Sequence, residues 1–202
     1  MRTKTTLVVL AAAALTVSAG GAVAGPGART IVGTNHNDAL VGTSGSDRIR
    51  GLAGDDIIQG RADKDQLYGG LGDDRLHGGQ GADILSGRAG DDRLVSGSGS
   101  DHLRGGHGND VSRGGVGDDL FRAGPGRDLF YGSRGDDGAV PGLGSDTLYL
   151  GRDRDHASLG SPDGAADQIF CGQGFDSVTY VGYQDDSDTL HGCEVIEVVD
   201  EH

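Results

Sequence analysis

The sequence predicts an all-β protein, a β-solenoid in which short strands stack as a parallel β-roll. Three observations carry this reading. An Asp returns every nine residues without a slip, at Asp38, Asp47, Asp56, Asp65, Asp74, Asp83, Asp92, Asp101, Asp110, Asp119, Asp128, Asp137, Asp146 and Asp155. A Gly stands two places before most of them. A large apolar residue stands two places after, from Leu40, Ile49 and Ile58 through Leu103 to Phe121, Phe130 and Leu148. A fixed period of this length marks stacked repeats, none of which buries a core alone.

The chain opens with a leader. Arg2 and Lys4 precede an apolar run from Leu7 to Val17, and Ala22-Val23-Ala24 follows. A basic start, a short apolar stretch and an A-x-A site predict a secretory signal over residues 1–24, cleaved after Ala24. The run is too short for a good membrane span, and none of spanning length follows it. The mature chain is therefore expected outside the cell, where disulfides persist. Residues 25–31 read as a linker.

Composition narrows the rest. Forty Gly, no Trp and 4% aromatic residues are too little large apolar material for an ordinary globular core. Low hydrophobicity with a formal charge of −14 leaves a disordered acidic chain or one neutralised by a cation. The strict period favours the cation, because disorder needs no register. Seventeen Lys and Arg lie scattered among the acids, so no basic stripe is expected and nucleic acid is excluded as a partner.

Within the nonapeptide each position has a task. Glycines two places before the Asp, and four or five places before it, let the chain turn sharply and aim carbonyl oxygens inward. Oxygen ligands of this kind suit a hard cation. The apolar residue with polar neighbours makes a minimal strand, one side chain in and two out. Units such as Gly69-Gly70-Leu71-Gly72-Asp73-Asp74 and Gly105-Gly106-His107-Gly108-Asn109-Asp110 show the pattern in full.

That pattern resembles the RTX, or haemolysin-type, calcium-binding repeat. The resemblance covers residues 32–157 and implies a right-handed roll with two nonapeptides per turn, about seven turns of 18 residues. It places the recurring Asp residues in two columns, with several calcium ions, up to about 12, between loops on the same side. The implied metal ligands are Asp47, Asp56, Asp74, Asp83, Asp92, Asp101, Asp110, Asp119, Asp128, Asp137 and Asp146. Gly69, Gly72, Gly78, Gly81, Gly87, Gly90, Gly105 and Gly108 join them through backbone oxygens. His36, Asp63 and Asp153 replace the turn glycine before Asp38, Asp65 and Asp155, so those three are left out; Asp63 and Asp153 are residues that tolerate a left-handed turn. Ser112, Ala139 and Ala157 replace the inward apolar residue and predict a thin core there. Lys64, Arg127 and Arg154 sit beside the recurring Asp and are expected to point outward.

Without calcium, columns of carboxylates repel one another. One buried Leu per unit, worth roughly 1.5–3 kcal/mol, does not offset about 1–2 kcal/mol of backbone entropy for each of nine residues. Folding is therefore expected to depend on the metal.

After Asp155 the register breaks, and residues 158–202 read as a cap closing the open end of the solenoid. Its Cys-bearing tail, with Gly192-Cys193-Glu194-Val195, resembles that of some secreted actinobacterial repeat proteins. Two Cys in an exported chain allow one pairing, Cys171 with Cys193; a metal pair or a reactive thiol are the alternatives, and the absence of Cys-x-x-Cys spacing favours the disulfide.

No His-Glu-x-x-His, Gly-x-Ser-x-Gly or phosphate-loop motif appears. The reading is a secreted, non-enzymatic calcium-binding protein. The alternative is a calcium-dependent surface or matrix protein whose roll binds polysaccharide or another protein. A carbohydrate-active enzyme module stands third.

Overall fold

The computed structural model describes residues 27–160, 163–182 and 186–199. The predicted leader and its cleavage site lie outside the described residues. Within them every regular element is a strand, and no helix is long and apolar enough to cross a membrane.

The nineteen strands alternate between two parallel sheets. One sheet stacks β1 (Thr30–Val32), β3 (Arg48–Ala53), β5 (Gln66–Leu71), β7 (Ile84–Ala89), β9 (His102–His107), β11 (Leu120–Pro125), β13 (Gly138–Leu143), β15 (His156–Leu159), β17 (Ser177–Val181) and β19 (Val195–Val199) in that order. The other stacks β2 (Ala39–Val41), β4 (Ile57–Ala62), β6 (Arg75–Gln80), β8 (Arg93–Ser98), β10 (Val111–Val116), β12 (Leu129–Arg134), β14 (Thr147–Asp153), β16 (Gln168–Gly174) and β18 (Thr189–His191). Each pairing joins residues one turn apart, as in Leu67 with Leu85 and Leu76 with Leu94. One strand of each sheet makes a turn, so the solenoid has about nine turns where the sequence predicts seven. The strands are also longer than the three-residue minimum, typically six residues. The residues expected as a linker end in β1, where Thr30, Ile31 and Val32 pair with β3.

The core is a narrow ladder. Ile49, Ile58, Leu67, Leu76, Leu85, Leu94 and Leu103 are all at most 2% exposed, one per nonapeptide. The thin core expected at Ser112 and Ala139 is filled by neighbours. Ser112 pairs with Phe130 and Ala139 with Phe121, and the two Phe rings stack across the core at 4.6 Å. A large ring beside a small residue keeps the column close-packed.

The described residues between 158 and 199 continue both sheets. A loop after Leu159 lengthens the turn, so Asp146 meets Asp167 and Asp155 meets Asp176, 21 residues away, and a second loop after Val181 does the same for Asp167 and Asp188. Cys171, fully buried on β16, forms a disulfide with Cys193 just after β18 and ties these last turns together.

Candidate metal-binding columns

Three inward positions repeat along each strand and turn: the Asp, the apolar residue and the position five places before the next Asp. Each recurring Asp from Asp47 to Asp155 is at most 3% exposed. The strand turns the carboxylate inward because the turn before it requires left-handed backbone. Gly90 shows the requirement: its φ is +132°, and a Cβ there would lie 2.2 Å from the Gly72 carbonyl oxygen. Asp63 and Asp153 occupy the same turn position with φ of 68° and 84°, as their side-chain type allows.

The two carboxylate oxygens have different fates. From Asp38 to Asp155, each Asp donates its backbone N–H to Oδ1 of the carboxylate one turn later, at 2.7–2.9 Å. Oδ2 is buried without a hydrogen-bond partner at Asp56, Asp65, Asp74, Asp83, Asp92, Asp101, Asp110, Asp119, Asp128, Asp137, Asp146, Asp155 and Asp176. A buried acceptor without a donor is costly, and repetition along two columns makes it a design feature of the repeat.

What Oδ2 faces is another oxygen. A Cβ on Gly60 would lie 2.2 Å from Asp65 Oδ2 and 2.8 Å from the Gly78 carbonyl; on Gly105 it would lie 2.2 Å from Asp110 Oδ2 and 2.9 Å from the Ala123 carbonyl. The same convergence recurs at Gly51 and Gly78. A carboxylate oxygen and a carbonyl oxygen thus meet in a notch that only glycine leaves open. Oxygen donors with a net negative charge and no proton donor fit a hard cation such as calcium. Among the described residues no three His, Cys, Asp or Glu side chains group together, so backbone oxygens must complete any coordination shell.

Electrostatics agree. In the metal-free chain, burial pushes these carboxyls far above the usual range: Asp74, Asp83 and Asp128 to about 6, Asp65, Asp92, Asp110, Asp119 and Asp155 to about 7, and Asp137 and Asp146 to about 8. The backbone N–H bond opposes the shift, and charges along the column, such as Asp119 and Asp155 on Asp137, add to it. Each site calls for a proton or a cation.

The predicted residues divide accordingly. Gly69, Gly78, Gly87 and Gly105 occupy the notch position, and Gly72, Gly81, Gly90 and Gly108 the turn. The turn glycines donate their N–H groups to the next turn, as Gly72 does to the Ala89 carbonyl at 2.9 Å. Asp65, left out on sequence grounds, has the same notch as its neighbours, whereas Asp155, also left out, shares the buried Oδ2 but has Leu150 at the notch place. Asp47 differs: its Oδ2 accepts from the backbone N–H and hydroxyl of Thr43, and Asp38 is served the same way by Thr34. Ser96, Ala123, Pro141, Leu150 and Cys171 stand where the notch glycine is expected. The Ser96 hydroxyl donates to the Gly114 carbonyl at 2.9 Å beside Asp101. Lys64, Arg127 and Arg154 point outward as expected, and Arg154 pairs with Asp136 at 2.8 Å.

A further set of carboxylates was not singled out from the sequence. Asp55, Asp73 and Asp91, each next to a buried Asp, form an exposed column in which Oδ1 accepts the N–H of the residue one turn later, at 2.7–3.1 Å. Its signal was the Asp-Asp pairs of these units. Asp176, in the Gly172-Gln173-Gly174-Phe175-Asp176 loop that restores the repeat after the break in register, has the same unpartnered Oδ2.

The family model of the RTX calcium-binding nonapeptide repeat matches the chain in four copies, over residues 32–67, 68–103, 86–121 and 104–139. The matches span more than half the chain, and the protein belongs to this family. No curated protein shows significant similarity to it.

Proposed function

From membership of a calcium-binding repeat family, we propose that this protein binds several calcium ions along its two Asp columns and folds as it binds them, after export. The observation that supports this most is the unpartnered, buried Oδ2 repeated at thirteen carboxylates. Left ionised in a dry interior, such columns oppose folding; a cation between them turns the same charges into the force that closes the roll. The residues proposed to hold the ions are Asp56, Asp65, Asp74, Asp83, Asp92, Asp110, Asp119 and Asp137, where the notch glycine is present, with carbonyl oxygens of the glycine column. A chain that folds only in calcium stays threadable through an export channel and hardens outside, where the ion is plentiful.

Calcium titration of the purified mature chain, followed by calorimetry and far-UV circular dichroism, tests the reading. The expected result is binding of several ions with a coincident rise of β signal. A β spectrum at pH 7.5 unchanged between chelated and millimolar-calcium samples would refute coupled folding, and absence of a binding isotherm would refute the columns as sites.

A further inference from the structure

The outer face of the nine-stranded sheet gathers what the sequence scatters. Six consecutive strands each present one exposed Arg: Arg61 on β4, Arg75 on β6, Arg93 on β8, Arg113 on β10, Arg134 on β12 and Arg152 on β14. Arg75 pairs in register with Arg93 and Arg134 with Arg152, while Arg61 and Arg113 sit at other places along their strands, so the six spread over a strip about 24 Å long at the spacing of stacked strands. Asp153, at the end of β14, is the one acid within the strands of this sheet. None of the six guanidinium groups has an ion-pair partner among the described residues, where Arg154–Asp136 is the one pair found. In a chain of net charge −14 this is a concentrated positive strip.

An aromatic ladder overlaps the strip. Tyr131, Tyr149, Phe170 and His191 stack face to face at 5.1, 4.7 and 4.4 Å. Stacking closes the inner ring faces but leaves the face of Tyr131 that looks back along the sheet. There a groove of about 210 Å³ opens, lined by Arg93, Leu94, Val95, Val111, Arg113 and Tyr131. Arg113 is the register partner of Tyr131 on that side, and Val95 lies one strand beyond it. The groove therefore offers one ring face flanked by two cations.

We propose that this face binds a carboxylate-bearing polysaccharide, with one uronate ring seated against Tyr131, its carboxylate on Arg93 and Arg113, and the rest of the polymer along the arginine row. Charge complementarity selects a polyanion, and the one ring face that opens between two cations selects a chain with saturated rings over successive stacked bases. Single-stranded nucleic acid draws on successive aromatic platforms, which this ladder has closed upon itself. The exposed carboxylates Asp55, Asp73 and Asp91 on an adjoining loop column also oppose a continuous phosphate backbone. The opposite sheet is a weaker candidate: two of its cations, Arg48 and Arg88, already flank Tyr68 at 5.6 and 5.4 Å, and it has no ring ladder.

The inference requires a folded roll but not the proposed calcium sites, so every sample is first checked by circular dichroism in calcium. Binding of labelled hyaluronan oligosaccharide, neutral dextran and an oligothymidylate to the full mature chain is then compared. Hyaluronan is expected to bind in a salt-sensitive way and dextran not to bind. Arg93→Gln with Arg113→Gln is expected to weaken binding roughly tenfold or more, through lost charge-assisted contacts. Tyr131→Ala is expected to weaken it, and Tyr131→Phe to retain it. The control pair Arg50→Gln with Arg122→Gln, on the other sheet, is expected to leave it unchanged. Equal loss in the control pair, tighter binding of the oligothymidylate, equal binding of dextran, or no hyaluronan binding by a folded chain would each overturn the proposal.

Discussion

Gly105 and Gly106 are neighbours with different reasons to be glycine, and exchanging each for alanine separates the metal notch from the backbone. Gly106 has φ of +130°, and an added Cβ would lie 2.1 Å from the Arg88 carbonyl oxygen. The left-handed conformation costs on the order of 1–2 kcal/mol and the clash with fixed backbone about 1–3 more. Gly105 has an ordinary φ, and its Cβ would instead meet Asp110 Oδ2 at 2.2 Å. The carboxylate must retreat by about 1 Å to reach normal contact. The chain already carries Ala123 at the equivalent place before Asp128, so the cost to the fold is at the low end of overpacking, about 1 kcal/mol. Gly105→Ala is therefore expected to reduce calcium stoichiometry by roughly one ion while keeping most of the folded signal at saturating calcium. Gly106→Ala is expected to raise the calcium midpoint of folding sharply and lower the thermal midpoint. Calorimetry for ion count, with circular dichroism for the folding curve, distinguishes them. Unaltered stoichiometry and affinity in Gly105→Ala would show that the notch does not hold the ion.

The remaining predictions concern protons, the disulfide and the threonine plugs. In calcium-free buffer the folded carboxyls titrate near 6–8 and unfolded Asp near 3.9, so the folded state binds more protons between those values. Metal-free folding is thus favoured below about pH 4 and lost as pH rises through 6–8; circular dichroism of calcium-free protein at descending pH should show β signal returning. Cys193→Ser opens a disulfide of sequence separation 22 and should destabilise the chain by about 3 kcal/mol, with faster hydrogen exchange concentrated in β16 to β19. Thr43→Gly removes the hydroxyl that donates to Asp47 Oδ2, leaving only the backbone N–H of residue 43, and should raise calcium stoichiometry; an unchanged ion count would assign the Asp47 loop a purely structural part.

The features legible in the sequence are those with a fixed offset from the recurring Asp. The Asp columns, the ladder from Ile49 to Leu103 and the left-handed turns follow from the nine-residue period because every unit meets the same neighbours 18 residues away. Features assembled from different offsets were hidden. Arg75 follows its Asp by one place and Arg113 by three, which the pleat puts on one face; Arg134, six places on, is exposed because the positive φ of Ser133 breaks the alternation. Tyr131, Tyr149, Phe170 and His191 are separated by 18, 21 and 21 residues, and the two lengthened loops disguise their alignment. The roles of Thr34 and Thr43 depend on a short local contact that a search for missing glycines passes over.

The backward reach of each carboxylate, from Oδ1 to the N–H of the turn before it, makes the molecule a ruler. From Asp47 to Asp128 every turn offers its predecessor the same acceptor and receives the same donor, so any 18-residue block can be removed or duplicated and the cut surfaces still match. Deleting residues 66–83, for instance, brings Asp65 before Asp101, whose Oδ1 takes the place of that of Asp83. Length, and with it the number of ions carried and the extent of the arginine row, becomes a quantity set by copy number, independent of the sequence of any one block.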